Sequence, residues 1–333
     1  MRLFARFMMK KRLQENEPLV SVVMPCYNDG PYIEEAVDSL RKQTWTNLEL
    51  IIIDDGSDEE TVQMIEQTPF PRKKILHTSH IGPAAARNKG ISEAEGGFIL
   101  PLDADDTIDE TYIQKAMAVM MANSNAGIVY CRADLFGEAK GLWDLPDYSL
   151  KTELLDNCIF VTAIFRKEDW EKVGGFCEEF RAGMEDYDFW LSLIEMGREV
   201  YQLQEVLFHY RIKTVSRTSR FQNSYADKQE TYVQLYWRHR ELYRQNMDIY
   251  CLELRRCLID QLMLNRQLQE DRKEETERLL LQAKEGQRNL ESMLQDPVIE
   301  YVASIRKMKP GLSAFLEKLL RIKNNAKRIL RRK

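Results

Sequence analysis

Several features are missing from this 333-residue chain, and each absence removes a class of protein. No apolar run approaches the ~18 residues that a membrane-spanning helix needs, so no transmembrane segment is expected. Met1 to Phe7 has no apolar stretch of the kind that makes a signal peptide. The six cysteines, Cys26, Cys131, Cys158, Cys177, Cys251 and Cys257, form no CxxC pair. That spacing argues against a zinc site and a disulfide framework, and for a reducing compartment. No GxxxxGK or GxGxxG run occurs, so the P-loop and dinucleotide-binding readings lack their fingerprints. Residues 225–296 contain no proline and a single glycine, Gly286, which leaves little there to interrupt a helix.

What is present is unevenly distributed. Apolar residues make up 44% of the chain, enough for a sizeable core, and charged residues 30%, which predicts a long solvated helical region. The formal net charge is only −5, but residues 1–13 carry five Lys/Arg and no acid, and residues 301–333 carry eleven Lys/Arg against Glu317 alone. The middle of the chain is therefore strongly acidic. An acidic body excludes a broad nucleic-acid-binding surface. Basic ends suggest an anionic membrane surface as a partner. In the tail, Leu312, Phe315, Leu316, Leu319, Ile322, Ala326, Ile329 and Leu330 fall on one helical face among Lys and Arg, as in helices that lie in a lipid headgroup layer. The expected location is cytoplasmic, peripheral on the inner face of the cell membrane.

Short apolar runs alternate with helical patterns. Val20–Cys26, Leu50–Ile53, Ile75–Leu76, Phe98–Leu100 and Gly127–Tyr130 read as strands. Ile33, Ala36, Val37 and Leu40 mark one face of a helix, and further helices are expected over 61–67, 83–92 and 112–121. This alternation predicts an α/β domain with a mostly parallel sheet flanked by helices, in which ligands lie beyond the carboxyl ends of the strands. Beyond residue 220 the composition turns to Leu, Gln, Glu and Arg. Leu280, Ala283, Leu290 and Leu294 form a partial heptad broken by Gln287, which favours a helical hairpin packed on the catalytic domain over a coiled coil. The expected divisions are a basic segment 1–17, a catalytic domain 18–220, an all-α extension 221–300 and a basic amphipathic tail 301–333.

Acidic clusters stand at the strand ends. Asp54-Asp55-Gly56-Ser57 follows Leu50–Ile53, where the carboxylates could accept hydrogen bonds from a base or ribose. The same tetrapeptide also makes an ordinary turn. Asp103-Ala104-Asp105-Asp106 follows Phe98–Leu100, and carboxylates spaced i, i+2 can converge on a hard cation such as Mg²⁺ or Mn²⁺. Gly82–Asn88 opens a helix whose N-terminus, with Arg87, could receive a phosphate. Asp186 starts an amphipathic helix, either as its N-cap or as a general base.

In this order the motifs resemble the family 2 glycosyltransferases of the GT-A fold. The resemblance covers about residues 19–220 and takes in Val20–Asn28, Asp54–Ser57, Gly82–Asn88, Asp103–Asp106, Val173–Phe176, Glu185–Trp190 and His209-Tyr210-Arg211. It implies a nucleotide-sugar donor, UDP by preference, a glycan or lipid-linked acceptor, and transfer with inversion aided by Mn²⁺ or Mg²⁺. It implies that Pro25, Tyr27, Asp54 and Asp55 line the nucleoside pocket, with Arg87 and Asp103 near the nucleotide. Asp105, Asp103 and His209 would form the metal set, Asp186 the base with Glu185 beside it, and Arg211 would lie near the diphosphate in a closing loop. Lys213-Thr214 departs from the pattern, because a His or Pro is common after the Tyr-Arg pair. A sugar nucleotidyltransferase would need a basic glycine-rich loop after the first strand, which Asn28–Pro31 is not. A glycosidase also uses paired carboxylates but has no need of a DxD. An inactive membrane-tethered nucleotide-sugar-binding scaffold should have lost an acidic motif, and all are present.

Overall fold

The computed structural model describes residues 17–214 and 224–294. The elements run β1 (Val20–Cys26), α1 (Gly30–Arg41), β2 (Leu48–Asp54), α2 (Glu59–Gln67), β3 (Lys73–His77), α3 (Pro83–Ser92), β4 (Phe98–Pro101), β5 (Thr107–Ile108), α4 (Tyr112–Ala122), β6 (Ala126–Gly137), β7 (Gly141–Leu142), α5 (Leu150–Glu153), β8 (Ile164–Arg166), α6 (Lys167–Val173), α7 (Glu185–Glu195) and β9 (Glu199–Ile212). Three helices follow: α8 (Tyr225–Arg238), α9 (Arg240–Gln245) and α10 (Met247–Leu294). The basic segment 1–16 and the tail 301–333 lie outside the described residues, so the membrane-surface expectation placed on them is not addressed by the fold. Among the described residues, no helix is long and apolar enough to cross a membrane.

All nine strands join one sheet in the order β3-β2-β1-β4-β8-β6-β9-β5, with β7 paired to β6. The first four are parallel, as the alternating pattern requires. The second half is mixed: β8 runs antiparallel to both β4 and β6. Its connection from β7 contains only the single-turn α5, so no crossover helix constrains it to be parallel. β2 is buried along its whole length and β1 at all but Pro25, and each fully buried aliphatic side chain there contributes roughly 1.5–3 kcal/mol. Along β1, the β4 ladder covers only Val20–Val23, so Pro25, which has no N–H, lies past its end.

The helices that carry the site pack closely on this sheet. α3 opens on Pro83 and buries Ala84, Ala86 and Gly90. A Cβ on Gly90 would sit 2.6 Å from Ile53 Cδ1 and Val23 Cγ1, so only glycine lets α3 come this near β1 and β2. α7 packs its Phe189 and Trp190 on Phe165, with ring centroids 4.9 and 5.8 Å apart. A smaller core joins Tyr187 and Leu191 of α7 to Leu235, Leu242 and Tyr243 of α8 and α9.

The chain divides into two compact units, residues 1–254 and 255–333. Within the described residues, the second unit is the continuation of α10. That helix runs unbroken for 48 residues, and Arg255–Asn289 are exposed throughout. The expected helical hairpin is therefore corrected to one continuous helix. The reason is local: Met247–Glu285 has no glycine or proline to form a turn, and Gly286 is absorbed into the helix.

Candidate active site

The two acidic turns lie at the carboxyl edge of the parallel strands, but their carboxylates are used differently. Asp54 and Asp55 are each 4% exposed. Asp54 Oδ1 accepts from Ser57 N at 2.9 Å, and its Oδ2 lies 2.9 Å from His77 Nδ1. Burial opposes ionisation of Asp54, but these bonds outweigh it and hold the carboxyl below its usual range. Asp55 Oδ1 accepts from Thr78 Oγ1 at 2.6 Å and Ile81 N at 2.7 Å, while Oδ2 accepts from Gly82 N at 2.8 Å. Both residues therefore organise the 77–82 loop that leads into α3. The open surface beside them belongs to Tyr27, 47% exposed, whose ring lies 4.1 Å from that of His80. His80 has φ 58°, a left-handed conformation unusual for a non-glycine residue. Nothing in the sequence singled it out, because it lies between motifs.

The turn after β4 is short of compensating charge. β5 pairs Thr107 with His209, which brings Asp103–Asp106 beside the end of β9. Burial first, and then Asp103, raise the Asp105 carboxyl above its usual range; Lys213 pulls the other way. Asp106, fully buried, is raised further by burial and by Asp105 and Asp103. Asp106 Oδ1 accepts from Arg211 N at 2.8 Å, and Arg211 Nε donates to the Asp105 carbonyl at 2.7 Å. The Arg211 guanidinium lies over the rings of Tyr32 and Phe136, at 4.6 and 4.1 Å, and pairs with Glu35. The structure thus places Arg211 against the acidic turn.

Arg87, expected near the nucleotide, is buried between two acids. It is 2% exposed, with Nη1 2.8 Å from Glu185 Oε1 and Nη2 2.7 Å from Asp103 Oδ1. Burial disfavours its charge, but Asp103 and Glu185 more than compensate, and its pKa is raised. Arg87 is thereby an internal strut between the acidic turn and α7. A buried ion pair of this kind specifies geometry more reliably than it adds stability.

Asp186 occupies the second position of α7. The cap position is Met184, at φ 73°, which gives no side-chain cap. Asp186 is therefore not the N-cap, although its charge suits the first turn. Its neighbours are firmly anchored. Glu185 holds Arg87, the Tyr187 hydroxyl donates to the Glu153 carbonyl, and Asp188 lies 2.6 Å from Arg238 Nε and 3.0 Å from His239 Nε2. Asp186 remains partly exposed between them.

The expected metal trio is not gathered. His209 Nδ1 lies 2.6 Å from Asp134 Oδ1, and no group of three or more His, Cys, Asp and Glu is arranged around a common point among the described residues. Asp103 and Asp105 do suit a hard cation. Both are oxygen donors, and burial and mutual repulsion push Asp105 upward even with the Lys213 ammonium 2.6 Å from its Oδ2.

A sequence profile described as glycosyl transferase family 2 matches residues 21–186. An uncharacterized glycosyltransferase of Haemophilus influenzae is 31% identical over 212 residues, covering 60% of this chain and 71% of the relative. The chain belongs to glycosyl transferase family 2. The uncharacterized glycosyltransferase YibD of Escherichia coli is 33% identical over 158 residues, 46% of this chain, and the match spans only 43% of that relative's length. Among solved structures, Staphylococcus aureus TarS 1–349 in complex with UDP-GlcNAc shares the fold with a TM-score of 0.52 at 22% identity, covering 62% of this chain and 61% of that one. The mannosyltransferase PcManGT of Pyrobaculum calidifontis, in complex with GDP-Man and Mn²⁺, does so with a TM-score of 0.50 at 20% identity and the same coverage. The fold is of the GT-A type.

Proposed function

We propose that the chain is an inverting, metal-assisted glycosyltransferase that moves a sugar from a nucleoside diphosphate, UDP by preference, to an acceptor hydroxyl. The observation that carries this is the Asp103–Arg87–Glu185 strut, which fixes the acidic turn and the start of α7 at one place. Tyr27 and His80 present a ring surface on which a base can stack. Asp103 and Asp105 would hold Mn²⁺ or Mg²⁺, which when bound neutralises charge on the departing diphosphate. Arg211 adds fixed positive charge at the same turn. Asp186 takes the proton from the acceptor hydroxyl. The acceptor oxygen then forms its bond to the anomeric carbon on the face opposite the leaving phosphate oxygen, and that in-line path inverts the centre. A glycan or lipid-linked acceptor in cell-surface polysaccharide or glycolipid assembly rests on the family resemblance, as does the division at residue 220.

The test is a donor screen. UDP- and GDP-sugars are incubated with Mn²⁺ or Mg²⁺, released nucleotide is measured, and products are weighed by mass spectrometry. Metal-dependent release of UDP from one UDP-sugar is expected. No turnover of any donor by folded protein in either metal would overturn the reading.

A further inference from the structure

One cation at the acidic turn is supplied by the chain itself. Lys213 lies just past the end of β9, where the β5–β9 pairing and the Arg211 bonds to the turn fix its backbone. Its Nζ is 2.6 Å from Asp105 Oδ2 and 2.7 Å from Asp29 Oδ1, with the Tyr32 ring 5.5 Å away. On the other side, Asp103 Oδ1 is occupied by Arg87. Each carboxylate of the DxD is therefore already joined to a basic side chain.

Building on the reading that Asp103 and Asp105 hold a divalent cation, we propose that Lys213 is an intramolecular competitor for that cation. A metal bound through Asp105 must sit ~2.0–2.6 Å from a carboxylate oxygen. With Lys213 in place, two cations would share one carboxylate and repel each other at short range. The metal alone therefore binds weakly, because it must displace the ammonium. A nucleoside diphosphate changes the balance, since its oxygens accept the displaced Lys213 and also ligate the metal. Metal and nucleotide then favour each other, and by linkage each raises the other's affinity by the same factor. Lys213 is thus a positioning residue that makes the cation enter with the diphosphate. A neutral His or Pro nearby would impose no such exchange.

Mn²⁺ binding to the full chain, followed by the electron paramagnetic resonance of the free ion, tests this without turnover. Wild type, K213M, K213Q, K213R and D105N are titrated with and without saturating UDP, each checked for a cooperative melt. Without UDP, K213M and K213Q should bind Mn²⁺ about tenfold more tightly than wild type, and K213R like wild type. UDP should raise wild-type Mn²⁺ affinity about 5–150-fold, the usual span of coupling between sites, and raise it less in the neutral variants. D105N should lose binding in every state. If D105N loses Mn²⁺ but neither neutral variant gains affinity, the competition is wrong and the metal reading stands. If D105N binds Mn²⁺ as wild type does, the metal reading fails and the competition with it.

Discussion

The two acidic strand ends look alike in sequence and behave in opposite ways. After β2, Asp54 and Asp55 meet four backbone or hydroxyl donors and a histidine, and Asp54 is held below the usual carboxylate range. After β4, burial and then Asp103 raise Asp105, and burial, Asp105 and Asp103 raise Asp106. The difference is one of donors. A carboxylate held by fixed N–H groups becomes part of the scaffold, while one held by the end of a flexible side chain can exchange that partner for a ligand.

Asp105→Ala should break this contrast most severely. Loss of a metal ligand removes several kcal/mol of leaving-group stabilisation, roughly 10³-fold or more in transfer rate. The melting temperature should change little, because relief of a crowded carboxylate is offset by Lys213 losing one of its two acidic partners. Steady-state rates and a melting curve on the same preparation decide it, and near-normal turnover would falsify the assignment. Asp186→Asn comes next, with roughly 10²-fold or more lost from kcat. Donor affinity should be unchanged, since α7 keeps its anchors at Glu185, Tyr187 and Asp188; a parallel loss in donor affinity would mean that Asp186 shapes the donor site instead.

Asp55→Ala should show the reverse profile. It leaves the Ile81 and Gly82 N–H groups without their acceptor, at about 1–3 kcal/mol each. Denaturant unfolding should register that loss, and an unchanged midpoint would show the loop to be held by other contacts.

The smallest effect extends the rule to a carboxyl outside both turns. Glu153 is raised to about 8 by burial, against the opposing bonds from Cys158. A group whose folded pKa lies above its unfolded value favours folding below the unfolded value, near 4.5, and loses that contribution as pH climbs through about 8. Wild-type stability should therefore fall across that window, and Glu153→Gln should flatten the fall. Equal slopes for the two proteins would show that Glu153 is ionised in the fold.

Most of the first half of the sheet was legible in sequence, because β1 and β2 are buried on both faces and read as unbroken apolar runs. The second half was not. β8 is only Ile164–Arg166 and has no crossover helix to announce it, and the β6–β9 ladder carries register shifts that no alternating pattern encodes. At the site, the acidic motifs were found, but the distant partners of the basic side chains were not. Arg87 looked like a phosphate ligand because its burial depends on Glu185, 98 residues away. Lys213 looked like a gap in a family pattern because its partners, Asp29 and Asp105, are distant in the chain. Side chains that act through distant partners leave no local period, whereas those that cap a strand do.

The Arg87 strut carries a consequence for inheritance. Its three members lie on different elements, and Arg87 joins the other two: removing Arg87 takes a charge partner from buried Glu185, and removing Glu185 leaves a buried guanidinium half-paired. Positions 87, 103 and 185 therefore form one heritable character spread over a hundred residues. Replacements tolerated at any one of them should come in matched sets, so a lineage can change the strut only by changing it whole.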